Sequence, residues 1–178
     1  MARSTGSARK LDVHDRALGL LAVRARSRRE LERRLFAAGY ERAEVTETLD
    51  RLSAVGLVDD EAFARSFAEH AVSSKGSGRR AVESALFAKG VTRETIDVVL
   101  AEVAEERGDE SERALALARN RVSRMSGQDA ASAYRKLFSF LARRGYGASV
   151  AREAAVRALE IDGTGDETAL DSGTARER

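Results

Sequence analysis

A chain of 178 residues with no cysteine rests on neither disulfides nor thiolate chemistry, and the lack of proline with only 5% aromatic residues argues against a sheet protein. With 43% hydrophobic and 34% charged residues, the expected fold is all-α, built from alanine- and leucine-rich helices. The net charge is only +2, but residues 1–51 hold 12 basic and 8 acidic side chains, 52–106 hold 6 and 10, 107–160 hold 11 and 6, and 161–178 hold 2 and 5, so two basic blocks flank an acidic one.

Residues 1–13 read as a flexible basic tail. Neither a signal peptide nor a run of apolar residues long enough for a membrane span is evident, so the cytoplasm is the expected compartment. A first helix places Leu18, Leu21 and Ala25 on one stripe. Ser27 and Glu30 stand in capping-box spacing to open a second, which carries Leu31 and Leu35 and stops at Gly39–Tyr40. Val45, Leu49 and Leu52 mark a third. The pattern then repeats. Asp59 and Asp60 stand where a cap is needed before Phe63, Phe67 and Ala71; after the loop from Ser73 to Gly78, Val82 and Leu86 precede a stop at Gly90–Val91, and Ile96, Leu100 and Val103 follow. In the third copy Asp109 and Glu112 stand in capping-box spacing before Leu115, Ala118 and Val122, with a break near Ser126 and Gly127. Leu137 and Leu141 then precede a stop at Gly145–Tyr146, and Val150, Ala154, Val156 and Leu159 form a weaker last stripe.

A glycine just past a helix, followed by an apolar residue, is the sequence form of a left-handed helix stop, and Gly39, Gly90 and Gly145 use it three times. Three tandem three-helix repeats are therefore expected at residues 14–58, 59–106 and 107–161, with a disordered acidic tail at 162–178. Helices of this length, about 20 Å, cannot bury themselves, so the repeats are expected to stack into an elongated, curved, solenoid-like body.

Little material for catalysis is present. His14 and His70 fall in different repeats with no cysteine beside them, so no metal site is expected. Gly76-Ser77-Gly78-Arg79-Arg80 lacks the G-K-[ST] of a phosphate loop and reads as a hinge. The acids Asp59, Asp60 and Glu61 read as a helix start, not a cation site. A non-enzymatic protein with no cofactor is expected. The arginines are more informative: Arg24, Arg26, Arg28, Arg29, Arg33 and Arg34 crowd the junction of the first two helices, and Arg79, Arg80, Arg143 and Arg144 attend the second helix of the later repeats. Guanidinium forks suit phosphates or carboxylates, so these ten are the candidate partner- or nucleic-acid-binding residues.

From Ala17 to Leu159 the chain resembles the RecX family. The matching strings are Ser27-Arg28-Arg29-Glu30-Leu31 with Arg34-Leu35 and Gly39-Tyr40, the run from Gly56 to Ala64, Lys89-Gly90-Val91, and Phe140-Leu141-Ala142-Arg143-Arg144-Gly145-Tyr146. The Gly56–Ala64 run is the most specific, since a helical repeat in general needs only a cap there. The resemblance implies a cytoplasmic, mainly inhibitory regulator of the RecA recombinase in DNA repair and the SOS response. It would bind the RecA–single-stranded DNA filament and limit filament growth, ATP hydrolysis, strand exchange and coprotease activity. Monomer is the expected state, and direct contact with single-stranded DNA would be weak. The alternative from the residues is a helix-turn-helix-like DNA-binding protein or transcription regulator, opposed by Glu41, Glu44, Glu47 and Asp50 on the helix after the first glycine stop.

Overall fold

A computed structural model of the chain describes residues 11–125 and 129–163, with the side chains of 161–163 excepted. Among the described residues there are nine α-helices and no strand: α1 (Val13–Val23), α2 (Arg28–Ala37), α3 (Arg42–Ala54), α4 (Asp60–Lys75), α5 (Arg79–Ala88), α6 (Arg93–Arg107), α7 (Glu110–Val122), α8 (Ala130–Arg143) and α9 (Ala148–Gly163). They form three successive sets of three, an all-α repeat protein. Residues 1–10 and 164–178, and the break near Ser126 and Gly127, lie outside the described residues. Val13 opens α1 and is buried, so that helix reaches into the stretch read as a tail.

Compactness divides the chain differently from the repeats. One unit comprises residues up to Phe67 with Leu86–Val99, the other Ala68–Ala85 with residues from Leu100 onward, so α4, α5 and α6 each run through a division. In the first unit, Leu31 and Leu35 of α2 meet Val45, Leu49 and Leu52 of α3 and Val13 and Ala17 of α1. Each fully buried leucine contributes about 1.5–3 kcal/mol. The stripe expected on α1 is corrected: Val13 and Ala17 carry the burial, Leu18 and Leu21 are half-buried, and Ala25 is exposed beyond the helix end. Periodicity had been continued through Arg24, where the backbone is extended.

The core of the second unit joins Leu137 and Leu141 of α8 to Ala114, Leu115, Ala118 and Val122 of α7 and to α9. On α9 the buried residues are Ala151, Ala154, Ala155 and Ala158, while Val150 and Leu159 are half-buried and Val156 is exposed. The last stripe is thus one register away from the larger apolar residues. On α4 the buried face is Phe63, Ala64, Ala68, Ala71 and Val72, and Phe67 is only half-buried, its ring stacked on Phe63 at 6.3 Å.

The middle helix of each repeat ends in the same way. Gly39, Gly90 and Gly145 have φ of 80°, 81° and 85°. The N–H groups of Tyr40, Val91 and Tyr146 donate back to the carbonyls of Leu35, Leu86 and Leu141, each at 3.2 Å, which satisfies carbonyls the helix would otherwise leave unpaired.

Two joints between repeats start from these stops. In the first unit, Ser27 Oγ accepts from the Glu30 N–H at 3.1 Å and donates to the Lys89 carbonyl at 2.6 Å, while the Arg28 N–H donates to Asp60 Oδ1 at 2.7 Å. A Cβ on Gly90 would lie 2.3 Å from Arg29 Cγ. In the second unit, the Gly78 N–H donates to the Arg144 carbonyl at 2.8 Å, the Arg80 N–H to the Gly145 carbonyl at 3.1 Å, and the Arg79 N–H to Glu110 Oε1 at 2.7 Å. A Cβ on Gly78 would lie 2.5 Å from the Gly145 carbonyl carbon, and one on Gly145 2.3 Å from Ala81 Cβ. In both joints a helix start meets a helix stop, a favourable dipole arrangement.

Three caps differ from the sequence reading. Asp59 alone caps α4, accepting from the Glu61 and Ala62 N–H groups at 2.9 Å each; Asp60 reaches out to Arg28 instead. Burial pushes the Asp60 carboxyl above the usual range, against the pull of the Arg28 N–H and charge. Asp109 precedes α7 without a side-chain cap bond. Glu30 is turned toward arginines, so the Ser27 cap has only its forward half.

Candidate functional site

The arginines at the α1–α2 junction are gathered around Glu30. Its Oε1 receives Arg26 Nη1 at 2.5 Å, Arg24 Nη2, and Arg34 Nε at 3.3 Å. Burial alone would raise this carboxyl, but the hydrogen bonds and charges of Arg24 and Arg26 hold it below the ordinary carboxylate range. Arg26 is 7% exposed and also donates to the Leu20 carbonyl at 3.0 Å, so within the fold it ties α1 to α2. Arg28 pairs with Asp50 of α3 at 2.6 Å and with Glu32 at 3.5 Å. Arg29 lies 3.7 Å from Glu32 and keeps 66% of its side chain exposed. Arg29, Arg33 and Arg42 line a cleft of about 340 Å³, but Glu32 lines it too, and Arg42 lies over the Phe36 ring at 5.5 Å. Of the six, Arg29 and Arg33 present the most outward charge.

The later arginines divide. Arg79 and Arg80 have exposed side chains, and their backbone N–H groups belong to the second joint. Arg144 is drawn inward, donating to the Lys75 carbonyl and lying 4.7 Å over the Phe140 ring. The N–H groups of Gly76 and Ser77 donate to the carbonyls of Val72 and Ala71, and with Gly78 in the joint this loop has its donors engaged by the backbone.

Arg143 belongs to a site the sequence reading missed. It lines a cleft of about 590 Å³ with Arg121, Arg124 and Met125 from the end of α7 and Ser132, Arg135, Lys136, Ser139 and Phe140 from α8. All five cations are exposed, and no carboxylate is among the described residues lining the cleft. α8 turns Ala133, Leu137 and Leu141 into the core, and Ser132, Lys136, Ser139 and Arg143 follow at three- and four-residue steps on another face. That spacing was the available signal, and the strong positive excess in residues 107–160 pointed to the same place. A smaller cleft of about 180 Å³ shares Arg121, Arg124 and Phe140 with it and is also lined by Leu117 and Arg144. Those two in turn line a third cleft of about 760 Å³ with Lys75, Arg107, Arg113 and Tyr146. Burial pushes the Tyr146 hydroxyl above its ordinary value, against the pull of the Arg113 and Arg144 charges.

His14 and His70 are exposed, and among the described residues no group of three His, Cys, Asp or Glu side chains could hold a metal ion. No described helix is long and apolar enough to cross a membrane. The arrangement offers binding surfaces for anions.

Three family models match in order: the first three-helix domain of RecX at residues 14–52, the second at 59–100 and the third at 109–155. A regulatory protein RecX of Mycobacterium avium (strain 104) is 41% identical over 146 residues, covering 82% of this chain and 83% of that one. The crystal structure of RecX from Lactobacillus salivarius superposes with a TM-score of 0.74 at 19% identity over 84% of this chain and 95% of that one. A second crystal structure, of a regulatory protein RecX, gives 0.69 at 23% identity over 79% and 70%. At those identities the two structures speak for the fold.

Proposed function

The chain belongs to the RecX family, and from that premise we propose that it regulates, mainly by inhibition, the RecA recombinase. It binds the RecA–single-stranded DNA filament and limits filament growth, ATP hydrolysis, strand exchange and coprotease activity in DNA repair and the SOS response. The observation that carries this reading is the match of all three domains of one regulatory family, in order, from residue 14 to residue 155. The protein acts in the cytoplasm as a monomer, without cofactor or catalysis. Consecutive three-helix modules suit a filament because several modest contacts, linked in one chain, reinforce one another. On α2, Arg29 and Arg33 are the members of the arginine group available to carboxylates of such a partner; Arg24, Arg26, Arg28 and Arg34 are engaged within the fold.

Measuring RecA ATP hydrolysis on single-stranded DNA with substoichiometric protein tests the proposal. Hydrolysis is expected to fall; unchanged hydrolysis with unchanged filament length would overturn it. The second reading, a DNA-binding protein acting without RecA, draws on the basic clefts around α7 and α8. It predicts duplex binding and no effect on RecA.

A further inference from the structure

We infer that the cleft between α7 and α8 is a docking surface for an acidic peptide with an apolar centre, and that its occupant is this chain's own segment from Asp166 to Asp171. Asp166-Glu167-Thr168-Ala169-Leu170-Asp171 sets three carboxylates around one leucine, with no base among them. The cleft holds the complementary set, Arg121, Arg124 and Arg143 around the half-buried Met125 and Phe140. Arg135 and Lys136 are left out of that set, because the charge of Asp129 already acts on the first and the second is already engaged. A simple inorganic anion would use the guanidiniums and leave the apolar floor bare. A peptide with Leu170 between its acids uses both.

The packing of α9 leads the chain to this cleft. Tyr146, two residues before α9, lies beside Arg113 near the start of α7, and the two helices then pack together through Ala114, Ala118, Ala151, Ala154 and Ala158. They therefore run in the same direction. From Ala148 to Gly163 α9 rises about 22 Å, against about 18 Å for α7, so Gly163 comes out by the end of α7, where Arg121, Arg124 and Met125 stand. Asp166 and Asp171 follow three and eight residues later, which puts them within about 10 and about 27 Å of Gly163 on an extended chain. Tethering over so short a span gives an effective concentration in the millimolar range, so contacts too weak to hold a separate peptide keep the segment docked. The docked segment neutralises Arg124 and Arg143, and any other anion has to displace it.

Because the chain has no cysteine, a single nitroxide label on full-length Ser172→Cys reports the position of the segment through paramagnetic broadening of backbone N–H signals in NMR spectra. The N–H signals of Arg124, Ser139, Phe140 and Arg143 should be broadened at about 0.1 M salt and recover at about 1 M, where the Debye length falls from about 10 to about 3 Å. Recovery is also expected on adding Asp166→Asn/Glu167→Gln/Asp171→Asn or Arg124→Gln/Arg143→Gln, and in part on adding Leu170→Ser, with circular dichroism confirming that each variant is folded. Broadening equal in the parent and the acid-neutralised variant reflects the tether alone and overturns the inference. Broadening that survives Arg124→Gln/Arg143→Gln places the segment elsewhere and overturns it as well. Inorganic polyphosphate gives a second readout: with the segment docked in about two thirds of the molecules, neutralising its acids should raise the affinity about threefold. That gain should vanish in the Arg124→Gln/Arg143→Gln background, and a gain that persists there is long-range electrostatics and overturns the screening of the cleft. Neither measurement involves RecA, so the inference and the proposed function fail separately.

Discussion

Two groups of arginines sit in this molecule, one around α2 and one around α7 and α8, and they have opposite fates. Around α2, Glu30, Glu32 and Asp50 engage Arg24, Arg26, Arg28 and Arg34, while Arg29 stays 66% exposed at 3.7 Å from Glu32, so most of this positive charge serves to tie α1, α2 and α3 together. Around α8, the described residues lining the cleft include no carboxylate, Asp129 lies near enough to Arg135 for their charges to interact, and the cations stay exposed. The joints differ in parallel. The first uses the Ser27 hydroxyl and packs the Arg29 side chain on a glycine; the second uses the backbone N–H groups of Gly78 and Arg80. A count of arginines thus predicts a binding surface only after the acids within reach of each have been subtracted.

The sharpest way to break this comparison is Glu30→Ala. It leaves Arg26 buried without its anion, and loss of one partner of a buried pair costs about 3 kcal/mol, read as a lower urea midpoint. If the midpoint hardly moves, the α2 group is a solvated face after all. The pH dependence supports the same point. A carboxyl held low by Arg24 and Arg26 contributes stability that is present above the ordinary glutamate value of about 4.3 and lost as pH falls through the lower folded value. Glu30→Gln should therefore be less stable than the parent at pH 7 and show a flatter decline between pH 5 and 3.

The joints rank next. Gly145→Val places its Cβ against Ala81 backbone atoms at 2.4 and 2.8 Å, whereas Gly90→Val meets only the Arg29 side chain. Both also force valine to positive φ. Losses of about 2–3 kcal/mol and about 1–2 kcal/mol are expected from thermal melts, in that order; the reverse order would show that the second joint is the looser one. The smallest effect should come from the triple Arg124→Gln/Arg135→Gln/Arg143→Gln variant, whose stability should stay within about 0.5 kcal/mol of the parent because these side chains are exposed. A larger loss would show that the open cleft is also structural.

The helix cores were legible because i, i+4 spacing is dictated by helix geometry: Leu31 with Leu35, Val82 with Leu86 and Leu137 with Leu141 are all 1% exposed or less. The register of α9 was not legible from residue size. α7 and α9 pack together through Ala114, Ala118, Ala151, Ala154, Ala155 and Ala158, a face whose small side chains admit a neighbouring helix, and the larger Val156 is left outside. Which of the clustered arginines pair within the fold was not legible for a different reason. The partners Asp50 and Asp60 come from other helices, and no local pattern announces them. The α7–α8 cleft was missed because its cations are distributed over two helices on either side of a break, so no single stretch looks as dense as residues 24–34.

The two joints have a consequence for how such a chain can change its sequence. In each, the acceptors at the helix stop are main-chain carbonyls, Lys89 in one and Arg144 with Gly145 in the other, and these groups are present whatever side chains surround them. What a joint asks of the neighbouring repeat is small and specific: a donor to those carbonyls, the Ser27 hydroxyl or the Gly78 and Arg80 N–H groups, a carboxylate, Asp60 or Glu110, and a glycine where the backbones meet, so substitutions on the exposed helix faces leave the joint intact.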